Sequence, residues 1–133
     1  MTTKRCSISI EEELAARFDE LFTEMGYETR SEAIRDLIQN ALVKNEIENP
    51  DVRVIGTLSI IFDHGKYLSH KLINEQLKYI GDIVSISKVH LSAEMTFEAI
   101  IIRSTAGRAM DISSRIIGIR GVSFGELTIL PDR

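Results

Sequence analysis

Residues 5–10 read Arg-Cys-Ser-Ile-Ser-Ile, a strict alternation that puts Cys6, Ile8 and Ile10 on one face and Arg5, Ser7 and Ser9 on the other. This pattern predicts one short, half-buried strand, and the residues that follow offer it no second strand. Strands need a hydrogen-bonding neighbour. A single strand with two helices in residues 1–45 also leaves too much apolar surface in water to stand alone. Both deficits are met at once if two copies pair their strands antiparallel and interleave their helices, so the sequence predicts an intertwined dimer.

The first helix opens at Ser9 with Glu12 or Glu13 nearby and runs through the acidic turn Glu11-Glu12-Glu13, which suits the positive end of a helix dipole. Leu14, Phe18, Leu21, Phe22 and Met25 form its apolar stripe, and Gly26 ends it. The capping box Thr29-Arg30-Ser31-Glu32 announces a second helix, with Ala33, Ile34, Leu37, Ile38, Ala41 and Leu42 on its inner side.

The polar stretch around Glu48-Asn49-Pro50-Asp51 lacks apolar periodicity and predicts a linker at 46–52. Beyond it the rhythm changes. Val54 to Phe62 reads as a strand, and Lys66 to Tyr79 as a helix with Leu68, Leu72, Ile73 and Leu77 inward. Ile83 to Leu91 and Met95 to Arg103 are strands, Ala106 to Ile117 is a helix, and Val122 to Leu130 is a last strand after the Arg120-Gly121 turn. The order over 53–133 is βαββαβ, a ferredoxin-like arrangement of helices over an antiparallel sheet, which makes the whole chain α+β.

Composition narrows the function. The longest apolar runs, Ile60 to Phe62 and Ala99 to Ile102, fall far short of the roughly 18 residues that span a bilayer. The first residues lead into a polar alternation rather than an apolar core, so a secretory signal is not expected and a cytoplasmic location is. Cys6 is the only cysteine, which excludes an intrachain disulfide and a cysteine-only zinc site. On the inward face of its strand it reads as packed rather than catalytic. No Gly-rich phosphate loop and no nucleophile in motif context point to an enzyme. Residues 1–52 carry six Lys or Arg against twelve Asp or Glu, and residues 53–133 carry ten against eight. Charge alone therefore opposes nucleic-acid binding by the first part, and the placement of its few cations has to decide.

That placement favours DNA. A two-stranded ribbon fits the major groove, where arginine pairs with guanine and short hydroxyls meet base edges, so Arg5, Ser7 and Ser9 from two chains are candidate base-reading groups. Arg30 and Ser31, at the start of the second helix, are candidate phosphate contacts. On these residues alone, a merely solvated polar face remains an alternative.

The opening strand, the segment "GYETRSEAIRDLIQNAL" (Gly26 to Leu42) and the βαββαβ part together resemble the nickel-responsive transcriptional regulators, the NikR family. The most specific element is "RSEAIRDLI" (Arg30 to Ile38), followed by the "RGV" turn of Arg120 to Val122. The resemblance implies a ribbon-helix-helix DNA-binding dimer joined to an ACT-like domain that tetramerises. It implies a homotetramer, a dimer of dimers, acting as a repressor on palindromic double-stranded DNA. Arg5, Ser7 and Ser9 match the family's base-reading positions, with serine where threonine is more usual.

The metal site departs from the family pattern. The family binds nickel in a square-planar set: a His-x-His pair on one strand, a cysteine six residues on, and a histidine from the preceding helix of a partner chain, N and S donors that suit Ni(II). The corresponding positions here are Lys88, His90, Thr96 and Leu77. Only His90 is kept, so the resemblance implies that nickel is not retained and that DNA binding is either constitutive or under another effector. A buried Lys88 ammonium is expected to meet Glu75, Glu94 or Glu98 and imitate the cation's cross-subunit clamp. His64 with Asp63 suggests a weak secondary site, against the plainer reading of an exposed loop histidine, and His70 has no matched role. Glu32 and Asp36 share one helix face and match an acidic pair which in the family holds a hard cation such as potassium, with backbone carbonyls near Ile117, Ile119 and Val122 implied as further ligands. A solvated acidic stripe, or a salt bridge to Arg120, suits the same pair equally. Two other regulators stay open: a small-molecule sensor built on the ACT-like part, and a metal-dependent regulator using a non-standard site. An antitoxin-like tail for a protein partner fits an ordered βαββαβ unit poorly.

Overall fold

Two hydrophobic rhythms in the sequence become two units in space. The computed structural model describes residues 2–63 and 68–133, and the chain divides into Met1–Leu42 and Val43–Arg133.

The first unit is built on helices α1 (Glu12–Glu24) and α2 (Arg30–Ile47). Glu11, not Ser9, is the N-cap of α1, and no side chain caps it. The helix ends as expected at Gly26, which takes φ of 86°. There the amides of Gly26 and Tyr27 donate back to Thr23 and Phe22 at 3.1 Å each, the paired C-terminal bonds that a left-handed glycine permits. α2 starts where the capping box put it, with Thr29 Oγ1 accepting from the Glu32 amide at 3.2 Å.

The segment before α1 is expected to form its strand only against a second copy. Residues 2–11 form no strand in the single chain, and Cys6, expected to pack inward, is exposed, as are Ile8 and Ile10. A strand is defined by the ladder it shares, and one copy supplies only one side. The helix faces tell the same story. Ala33 is buried, but Leu37, Ile38 and Leu42 of the predicted inner side are exposed, together with Leu14 and Leu21 of α1 and Met25 at its C-cap. The Phe18 and Phe22 rings pack on each other, 5.3 Å apart. α2 also runs to Ile47, so the first residues of the predicted linker are helical and the turn falls at Asn49 and Pro50, where Asn49 Oδ1 accepts from the Asp51 amide at 3.0 Å.

The second unit follows the predicted βαββαβ order: β1 (Arg53–Asp63), α3 (Leu68–Lys78), β2 (Ile83–His90), β3 (Met95–Thr105), α4 (Ala106–Ile117) and β4 (Val122–Pro131). Lys66, the expected start of the first of these helices, lies outside the described residues. The sheet order is β2-β3-β1-β4, with every neighbouring pair antiparallel. Burial alternates along both central strands. Val54, Leu58, Ile60 and Phe62 of β1 join Ile100 and Ile102 of β3 under Leu68 and Leu72 of α3 and Ala109, Ile112 and Ile116 of α4. Burial of this kind contributes roughly 1.5–3 kcal/mol per large side chain. Thr105 caps α4 by accepting from the Arg108 amide. Ile73 and Leu77, predicted inward on α3, are instead exposed. The Arg120-Gly121 turn is present, with Gly121 at φ of 109°.

Candidate nucleic-acid interface and candidate metal centre

Arg5, Ser7 and Ser9 all lie exposed on the N-terminal segment. Their spacing of two places them on one side of the chain wherever that segment becomes a strand.

Arg30 does not stand free, as a phosphate clamp would require. Its Nε donates to Asp19 Oδ1 at 3.1 Å, and one terminal nitrogen donates to both carboxylate oxygens at 2.9 and 2.8 Å. Both side chains stay about half exposed. Forked guanidinium–carboxylate pairs are the strongest kind of charge-assisted hydrogen bond, so the pair braces α1 against α2. Ser31 remains exposed in the first turn of α2. Sequence reasoning missed Asp19. The available signal was an acidic residue on α1 and a basic one just past a tight turn.

The carboxylate pair expected to hold a hard cation is partly engaged within its own unit. The Tyr27 hydroxyl donates to the Asp36 carboxylate. That hydrogen bond, then burial and the charges of Asp36 and Glu32, hold the phenol above its ordinary pKa.

Lys88 and His90 lie on β2 directly across from Glu98 and Thr96 of β3. Thr96 and Glu98 are both buried. Lys88 Nζ stands 4.0 Å from Glu98 Oε2, Gln76 Nε2 of α3 donates to Glu98 Oε1 at 2.5 Å, and His90 Nδ1 is 3.2 Å from Thr96 Oγ1. Phe62, Leu72, Ile73 and Ile86 wall a cavity of about 150 Å³ beside this polar group. Of the three partners named for Lys88, the one within ion-pair reach in the chain is Glu98, and the Lys88 side chain is half exposed rather than buried; Glu75 pairs with Lys78 at 2.8 Å. Gln76 was not foreseen, although it neighbours Leu77 in sequence. Leu77 itself is exposed and brings no donor to the group.

An ammonium, one imidazole, a hydroxyl and an aliphatic side chain do not fit a square-planar nickel centre. Among the described residues no three His, Cys, Asp or Glu side chains gather as metal ligands. Asp63 closes β1, and its suggested partner His64 lies outside the described residues. His70 is exposed on α3. No helix among the described residues is long and apolar enough to cross a membrane.

Comparison with known proteins places both units. Residues 4–45 match the family described as "Ribbon-helix-helix protein, copG family", and residues 55–130 match "NikR C terminal nickel binding domain". Relatives named "Putative nickel-responsive regulator" include one from Geobacter sulfurreducens, 39% identical over 96% of this chain and 92% of its own. Another, from Thermococcus onnurineus, is 35% identical over 97% of this chain and 94% of its own. An uncharacterized protein of Thermotoga maritima shares the fold over 61% of this chain and 99% of its own, with a TM-score of 0.51 at 13% identity. With a ribbon-helix-helix DNA-binding unit followed by a NikR carboxy-terminal domain over most of its length, the chain belongs to the nickel-responsive regulator family of transcription regulators.

Proposed function

We propose that the protein is a sequence-specific repressor that reads a palindromic operator as a dimer of dimers, without nickel in the family's site. The observation that carries this reading is the unsatisfied N-terminal unit. Its opening segment presents Arg5, Ser7 and Ser9 to solvent, and its helices leave Leu14, Leu21, Leu37, Ile38 and Leu42 uncovered. A second copy supplies what is missing: a ladder for the segment and a wall for the helices. The resulting ribbon enters the major groove, Arg5 pairs with guanine, and the two serines fix the register at neighbouring base edges. Ser31 and the free amides at the start of α2 hold phosphate.

The donor set at Leu77, Lys88, His90 and Thr96 supports nickel independence, because an ammonium stands where the family places a metal ligand and repels a cation there. DNA binding is then constitutive or set by another effector. Selection of bound fragments from a random duplex pool, sequenced after selection in Ni(II) and again in chelator, tests this reading. One palindromic motif enriched equally in both is expected. A motif that emerges only with Ni(II) would restore the metal-controlled mechanism, and no enriched motif at all would remove sequence-specific binding.

A further inference from the structure

Glu98 sits in the middle of a central strand, 1% exposed, between Ile60 on one neighbouring strand and Lys88 on the other. A carboxylate withdrawn from water among apolar side chains needs a counter-charge and hydrogen bonds. Gln76 supplies the hydrogen bond to one oxygen. Lys88 stands 4.0 Å from the other, beyond hydrogen-bond distance but within ion-pair reach. The cavity of about 150 Å³ opens against both charged groups.

We propose that Lys88 is a tethered cation: it balances Glu98 from within the chain and bars divalent metal from this pocket. The inference rests on the nickel-independent reading above. His90 and the position of Lys88 share one face of β2 with the paired Thr96 and Glu98 opposite. The polar group thus already offers one carboxylate in the cavity wall and, next along the same face of β2, one imidazole, and Lys88 is the member that opposes a cation. The half-exposed ammonium repels a second cation placed beside it, whereas an imidazole at the same place would add a neutral ligand.

The test uses the full chain with NiCl2 or ZnCl2 alone as the probe. Calorimetry should show no stoichiometric metal uptake by the wild type, and one ion per chain taken up by Lys88→His. Wild-type uptake at one ion per chain that His90→Ala abolishes would overturn the proposal, and so would a folded Lys88→His chain that takes up no metal. Thermal unfolding gives a second readout that decides the matter if Lys88→His fails to fold. Lys88→Met should lower the melting temperature by stranding Glu98, and Lys88→Met with Glu98→Gln should recover most of the loss, because it removes the stranded charge. Losses that simply add would contradict the pairing. None of these measurements involves DNA, so a failure here leaves the operator selection standing, and a failed selection leaves the ion pair standing.

Discussion

Arg30 and Asp19 form a forked ion pair across the turn between α1 and α2, with three donor–acceptor contacts of 2.8 to 3.1 Å. The guanidinium at the head of α2 is therefore committed to an internal carboxylate, and a DNA phosphate would have to compete for it. Asp19→Asn should release Arg30, tighten binding to any duplex and steepen the salt dependence by about 0.9 in log–log slope. The pair is half exposed, so the fold itself should lose no more than about 1 kcal/mol. Fluorescence anisotropy across a salt series measures both the affinity and the slope. An unchanged slope would mean that Arg30 serves only to brace the two helices.

Arg5→Ala acts on a different quantity. If Arg5 reads a base, the selected operator should lose about 1–3 kcal/mol of binding, roughly 5- to 150-fold, while random DNA loses far less. Competition binding with operator and scrambled duplexes separates the two. Equal losses on both would make Arg5 a phosphate contact.

The Tyr27–Asp36 hydrogen bond gives an alkaline signature. Its phenol is held above the ordinary tyrosine pKa of 10.0, first by that hydrogen bond. A raised pKa means that the neutral phenol is favoured by folding, so the stabilisation is complete below pH 10 and fades as pH climbs through the folded-state value. Wild type should therefore melt above Tyr27→Phe by a constant margin near neutrality, and the margin should shrink above pH 10. A margin that does not change through that range would place the bond outside the folded ensemble.

Gly56 tests the sheet. A methyl group there would come 2.5 Å from the Thr128 carbonyl oxygen and 2.6 Å from Ile129 Cγ2, and a backbone oxygen has little room to retreat. Gly56→Ala should cost about 1–3 kcal/mol, read as a lower midpoint in denaturant with an unchanged slope. An unaltered midpoint would show that β1 and β4 can separate freely.

The βαββαβ unit was legible in the sequence because it closes its own core. The alternating burial of β1 and the spacing of Ala109, Ile112 and Ile116 on α4 satisfy themselves within one chain. The first unit was legible only in part. Gly26 and Thr29 set the helix boundaries through local backbone chemistry, but the inward faces of residues 6–10 and of α2 depend on surface that a single chain does not contain. Ile73 and Leu77 show the limit of periodicity on α3: they are four apart and share a face with each other, but they stand one and five residues past Leu72, off the face that Leu68 and Leu72 bury, and both are exposed. Lys88 could be assigned a carboxylate partner from its charge, but the choice of Glu98 follows from strand register. Gln76 of α3 meets Glu98 of β3 across 22 residues of sequence, a contact that no local pattern announces.

Amide hydrogen exchange across residues 5–10 of the full-length protein bound to its selected operator bears most directly on the central claim. In a two-stranded ribbon each strand is paired along one edge only, so every second amide should be slowed far below its neighbours. Exchange of all of them at the rate of an unstructured chain would contradict pairing of the segment, and with it the reading of DNA by Arg5, Ser7 and Ser9.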